Sequence, residues 1–417
     1  MSPKVLIIGG GVGGLALAHG CKKHNIPFHV YERDRTEAYR AQGYRVRISG
    51  LAGTALQHLL TEQLYADFEL SCADNRAADI AEIDAETGRV DLPKVDDSVR
   101  AKLDCNPSGW CVDRSAFRNV LIKALDKDEI SYDKVFERYE LSEDGVVAHF
   151  ADGSQASGTL LVGADGKNSN VRKQLLPQVE LLDTGVKCIY GKTLITPEIL
   201  NTLPATAAKS MSFVKDRSQE NLAILGLEPI TFPNRETLEQ RGIGCPPDYL
   251  FWALTGPSES LGFGSAEKRY LSIDESEQAA LSVTQHWDAR LRTIIQHQAP
   301  GETSAFSLTA ISSTLPVWTP NAHITVLGDA IHPMAPTGSG AVMALNDASM
   351  LCEELCEHGV GEKAVGAYEE RMRSVSGEAV KMSWAVVTRL AGMRRSNEMH
   401  LGEMAMSIRA RNAERKA

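Results

Sequence analysis

The feature that most constrains this chain is a turn of five glycines in six positions near its start, Gly9-Gly10-Gly11-Val12-Gly13-Gly14. It follows Val5-Leu6-Ile7-Ile8, an apolar, β-branched run that reads as a buried parallel strand. It precedes Leu15, Leu17 and Ala18, after which the segment turns polar at Lys22 and Lys23, as a helix leaving a sheet does. Within Gly9-x-Gly11-x-x-Gly14 each glycine has its own task. Gly9 permits a tight turn, Gly11 lets the backbone approach a pyrophosphate, and Gly14 lets helix and strand pack closely. Val12 and Gly13 open the helix, whose free N–H groups and positive dipole end favour phosphate. A second strand, Pro27 to Glu32, ends on a carboxylate placed to accept a hydrogen bond from a ribose hydroxyl, with Arg33 beside it to meet an adenine. This pattern predicts a Rossmann-like, dinucleotide-binding α/β fold.

A chain of 417 residues exceeds what one core usually organises. Its changes of pattern divide it. Residues 1–75, 104–185 and 301–365 are expected to form the dinucleotide-binding domain, with a helix at about 110–126, a hairpin turning at Asp152-Gly153, a buried strand at about 323–328 and a long helix from Gly340. Residues 76–103 and 186–300 carry short strand-like runs and a helix at about 276–298. They read as an inserted α+β domain that walls a substrate cleft. Residues 366–417 read as a C-terminal helical region, its basic end (Arg409, Arg411, Arg415, Lys416) frayed. The net charge of −10 argues against a nucleic-acid partner. No run reaches the ~18 apolar residues of a membrane span, and no signal-type segment opens the chain, so a soluble, cytoplasmic protein is expected. None of the eight cysteines forms a C-x-x-C pair. Cys352 and Cys356 share a helix face without a ligand pattern in the sequence around them, so reduced thiols and no metal site are expected.

Two further segments carry chemistry. Gly163 to Arg172 reads GADGKNSNVR, and Gly328 to Ala348 reads GDAIHPMAPTGSGAVMALNDA. Asp329 ends a short apolar strand, where a buried, unpaired carboxylate is costly and a ligand hydroxyl is a natural partner. In order and spacing, the three motifs resemble the flavin site of the single-component, class A FAD-dependent monooxygenases of the para-hydroxybenzoate hydroxylase type. The resemblance runs from Lys4 to about residue 350. It implies a GR2-type FAD-binding domain. It places Asp165 and Gly166 near the FAD pyrophosphate and a nicotinamide cofactor, and Asp329 on the ribose and pyrophosphate. It has Arg114 contacting the FAD, and Arg47 near the flavin edge. Pro336, Gly338, Ser339, Gly340, Ala341 and Val342 would run beside the isoalloxazine ring. A helix N-terminus there stabilises the negative charge of a reduced flavin. The chain departs from similar proteins at Val342, often Asn, and at Asn346, often acidic; backbone groups would then carry more of the contact.

The activity implied is that of the family. NADPH or NADH reduces FAD, oxygen adds at the flavin C4a, and the hydroperoxide delivers one oxygen atom to a small aromatic or natural-product substrate by hydroxylation or epoxidation, with Baeyer–Villiger insertion and oxidative decarboxylation left open by the sequence. A second GxGxxG is missing, since Gly262-x-Gly264 lacks its third glycine, and so is the tryptophan motif of similar halogenases. The motifs name no catalytic acid or base. Tyr190 and Lys192, on one face of a strand, are candidates that could deprotonate a phenol. Trp252 reads as core or pocket wall, and His332 as structural. An FAD oxidase or dehydrogenase on the same fold, and a flavin-binding protein without enzymatic activity, are the alternatives.

Overall fold

The computed structural model describes residues 4–36, 45–48, 50–74, 81–91, 110–209, 211–216, 224–263, 270–335 and 338–391. Pro336, Cys105 and the basic C-terminal end lie outside the described residues. A five-stranded sheet runs in the order Ile324–Val326, Leu160–Gly163, Val5–Ile8, Phe28–Tyr31, Ile130–Ser131, every pair parallel. All residues of Val5–Ile8 and Leu160–Gly163 are buried, which is why these strands read as unbroken apolar runs rather than alternations.

Four helices reach the site: α1 (Val12–Lys23), α2 (Arg114–Lys123), α3 (Gly340–His358) and α4 (Glu362–Ala391). α1 and α3 lie side by side and run in the same direction. A Cβ on Gly13 would come within 3.2 Å of the Ala344 Cβ, and one on Gly20 within 2.8 Å of the Cys352 Sγ. Small residues along this seam allow the close approach.

The expected hairpin is present, Gly145–Phe150 against Gln155–Gly158, with Gly153 at φ +81° in its turn. A small antiparallel sheet joins Arg45–Ile48, Trp110–Asp113 and Cys72–Ala73. The largest sheet has seven strands, in the order Ser304–Ala310, Leu182–Leu194, Tyr249–Pro257, Ile224–Ile230, Ser212–Lys215, Ala81–Asp84, Val90–Asp91. One face of it, including Ile189, Leu225, Trp252 and Leu254, packs with Ile199, Leu291 and Ile294 from the helices outside it and with Trp287 from the turn between two of them. The other face looks toward the five-stranded half of the molecule.

Three sequence expectations change. Residues 110–113 are a strand, and the helix begins only at Arg114 because Asp113 caps it, accepting from the backbone N–H of Ser115 (2.9 Å) and Ala116 (3.1 Å). The helix expected at 276–298 is two, Ile273–Val283 and Ala289–Gln296; Asp288 caps the second. Ser304–Ala310 pairs with Leu182–Leu194, so the large sheet continues beyond residue 300, where the return to the first domain was expected. Among the described residues, no helix is long and apolar enough to cross a membrane.

Candidate active site

The glycine turn shows why each position needs its residue. Gly9 has φ +114°, and a Cβ there would lie 2.4 Å from the Ala164 carbonyl oxygen. A Cβ on Gly14 would lie 2.2 Å from the Gly9 oxygen. Gly11, the N-cap of α1, has nothing within 4 Å of such a Cβ and no side-chain cap. The start of α1 therefore opens onto free space with its N–H groups exposed, a cradle for an anion. Glu32 braces the turn from below: Oε2 accepts from the Gly10 N–H (2.6 Å) and Oε1 from the Asp34 N–H (2.9 Å).

Two cavities meet here. The smaller, about 190 Å³, is lined by the glycine turn, Glu32, Arg33, Arg118, Asp165 and Asn168 among others. The larger, about 610 Å³, extends from the same turn to Asp329, Gly338, Gly340 and Ala341. Gly11, Val12, Arg114, Ala164 and Gly166 border both, so one elongated molecule can run from Glu32 past the start of α1 to the start of α3. That donor set, a carboxylate at one end and two uncapped helix starts along the path, fits an FAD. Ser339 and Val342 flank the start of α3, with Ser339 giving it no side-chain cap.

Asp165 is held by its own chain, accepting from the Asn170 N–H (2.8 Å) and the Val171 N–H (3.4 Å); burial pushes its carboxyl above the ordinary carboxylate value. Asp329 corrects an expectation. It is exposed at the cavity edge rather than buried, because the chain turns through Gly328 (φ +59°) and carries the side chain out of the sheet. With its side chain exposed, the Asp329 carboxylate bears no burial cost that would call for a partner.

The opposite wall is the large sheet, and strand alternation builds it. Cys188 and Tyr190, Ile224 and Gly226, Phe251, Ala253 and Thr255, and Phe306 and Leu308 face the cavity. Tyr190 meets Phe306 edge-on, with ring centroids 5.6 Å apart. Val386 and Val387 of α4 close one side. Arg47 borders the cavity but pairs with the buried Glu228, as does Arg45, whose guanidinium lies 5.1 Å from the Phe251 ring centre. These pairs tie the small sheet to the large one. Lys192 does not line the cavity: it lies 3.3 Å from Asp113 and 4.5 Å from the centre of the Tyr249 ring. Trp252 is core, its Nε1–H donating to Thr193 Oγ1 at 3.2 Å. His332 is fully buried and donates from Nε2 to Asp347 at 2.5 Å, a structural contact.

No family model matches the chain. It is 35% identical over an alignment 442 positions long to the dual O-methyltransferase/FAD-dependent monooxygenase elcB of Phaeosphaeria nodorum, a match covering 96% of this chain and 47% of that protein. It is 36% identical over 396 residues to the similarly named CTB3 of Cercospora beticola, covering 89% of this chain and 44% of that one. A solved structure from Photorhabdus luminescens, described as an FAD-containing monooxygenase, superposes with a TM-score of 0.77 at 29% identity and covers 94% of this chain and 99% of its own. Over most of its length the chain is similar to FAD-dependent monooxygenases. It spans about half the length of the curated relatives named here.

Several residues that position the site escaped the sequence reading. Arg118, one turn beyond Arg114 and 2% exposed, donates from Nε to the Gly10 carbonyl (2.9 Å). Arg172 clamps two motifs together, donating to the Ala330 (2.7 Å) and Lys167 (2.8 Å) carbonyls. Asp347 accepts from the Gly328 N–H (2.9 Å), His332 and Ser376 Oγ (3.1 Å). Glu228 and Asp347 share one overlooked signal, an acid inside an apolar run, which demands a partner.

Proposed function

We propose that the chain binds FAD and acts as a monooxygenase, taking electrons from NADPH or NADH and placing one atom of molecular oxygen in a small aromatic substrate. One observation carries this reading. A single cavity of about 610 Å³ has the starts of α1 and α3 on one wall and Tyr190, Phe213, Phe251 and Phe306 on the other. Bound FAD supplies the electron transfer and the activation of oxygen.

The chain's own groups do the rest. Val12, Gly13 and Gly14 present N–H groups to the pyrophosphate, Glu32 and Arg33 hold the adenosine end, and Arg114 spans the junction of the two cavities. Asp165 and Gly166 stand beside that junction, and Asp329 accepts a sugar hydroxyl. The N-terminus of α3 borders the cavity and would favour a negatively charged, reduced flavin held there. Aromatic and aliphatic side chains of the sheet exclude water and hold a flat substrate against it. Of the two acid–base candidates, Tyr190 stands at the cavity, whereas Lys192 is held away by Asp113. In this reading the flavin domain is discontinuous, resuming after Ala310, and the seven-stranded sheet is the substrate-binding part.

The test is direct. The purified chain is expected to carry flavin absorbance, to oxidise NADPH or NADH faster when a suitable phenolic substrate is present, and to give a product one oxygen heavier that takes label from oxygen-18 gas. A colourless protein that takes up no FAD rules the reading out. Flavin reduced by an amine or alcohol substrate without NAD(P)H makes the chain an oxidase or dehydrogenase instead.

A further inference from the structure

α1 and α3 begin together at the cavity and end together on the other side of the domain. At that far end, His24, Cys352 and Cys356 bring one ligand atom each to within 4.8 Å of one another. The three come from distant parts of the sequence. His24 is the C-cap residue of α1, and the two cysteines are one turn apart on α3. Gly20 makes the meeting possible, since a Cβ there would collide with the Cys352 Sγ. Cys21 adds a third sulfur. It is buried beside the same pair, and burial, together with the neighbouring Cys356, pushes its thiol up to about 12.

We propose that His24, Cys352 and Cys356 form a zinc(II) site, with a water completing the tetrahedron. The donor set decides the metal class: two thiolates and an imidazole suit Zn²⁺, whereas Mg²⁺ and Ca²⁺ require oxygen ligands. The field agrees, because both helices present their C-terminal ends here, where the dipole favours a cation. Access agrees too, since His24 and Cys356 are exposed. The balance is simple. Two S–H bonds break, two Zn–S bonds form, and two protons pass to the buffer; no oxidant or reductant takes part. α1 has 12 residues, so the site lies about 18 Å along the helix from the glycine turn. It therefore stands or falls independently of the flavin reading. Glu354, Glu357 and His358 form a neighbouring group, but Glu354 is already paired with Arg371 at 2.5 Å, which makes His358 a natural control.

The experiment uses the full chain under reducing conditions. Cobalt(II) serves as a spectroscopic probe, and zinc content is measured by elemental analysis after gel filtration. The expected result is one zinc per chain, a tetrahedral cobalt spectrum with a sulfur-to-metal charge-transfer band, and release of two protons. The double variant His24→Ala, Cys356→Ala changes only exposed side chains. It is expected to lose about 100-fold or more in zinc affinity with circular dichroism and flavin content unchanged, while His358→Ala binds as the parent does. The proposal is overturned by substoichiometric zinc, by a cobalt spectrum without the sulfur band, by a double variant that binds normally, or by loss of binding in His358→Ala alone.

Discussion

Gly11 and Gly14 belong to one motif and answer to different partners. Gly14→Ala places a methyl group 2.2 Å from a carbonyl oxygen of its own chain. It is expected to destabilise the fold by about 3 kcal/mol, read as a lowered denaturant midpoint. Gly11→Ala meets no protein atom, and its φ of −75° suits alanine. Its flavin-free stability should stay within about 1 kcal/mol of the parent. Its FAD affinity should fall at least about tenfold, as followed by flavin fluorescence, because the new methyl occupies space left for the ligand. If Gly11→Ala kept its flavin, the cradle assignment would fail. The glycines were legible in the sequence because spacing, strand and helix context point the same way. Arg118 and Arg172 were not. Each acts through a guanidinium reaching backbone carbonyls brought near only by tertiary packing, and spacing cannot report such partners.

Elements carry the motifs into register. Helix α3 joins the cavity to the rest of the domain through Asp347, which ties the Gly328 turn, His332 and α4 together. Burial by itself would lower the His332 imidazole, but the charge of Asp347 and their hydrogen bond outweigh it and hold it above the ordinary value. A raised folded-state pKa contributes stability that is complete below the unfolded value of about 6.5 and is lost as pH climbs through the folded one. The stability advantage of the parent over His332→Gln should therefore be constant in mild acid and shrink toward alkaline pH, as measured by urea unfolding across that range. A pH-independent difference would show that the imidazole is neutral in the fold. At this scale the sequence marked the start of α3 but fused strand and helix at 110–126. Asp113 carried a cap signal, yet its second role, accepting from the Tyr249 hydroxyl at 2.8 Å, depends on a strand more than a hundred residues away.

The whole molecule sets two sheets around one cavity and closes it with α4. Trp384 anchors that helix, 1% exposed and donating from Nε1 to the Ile311 carbonyl at 2.8 Å. Trp384→Ala should cost about 3–5 kcal/mol, visible as a lowered unfolding midpoint; an unchanged midpoint would mean α4 packs without it. The five-stranded sheet was readable from its apolar runs. The seven-stranded sheet was not, because Ala81–Asp84 and Ser304–Ala310 join it from widely separated parts of the sequence, and pairing partners leave no local trace. The strict alternation of that sheet has a practical side. Positions 188, 190, 251, 253, 306 and 308 can be varied in a combinatorial library while their odd-and-even neighbours go on holding the scaffold. Substitutions that keep these positions apolar would reshape the cavity wall while the opposite face goes on packing against the outer helices.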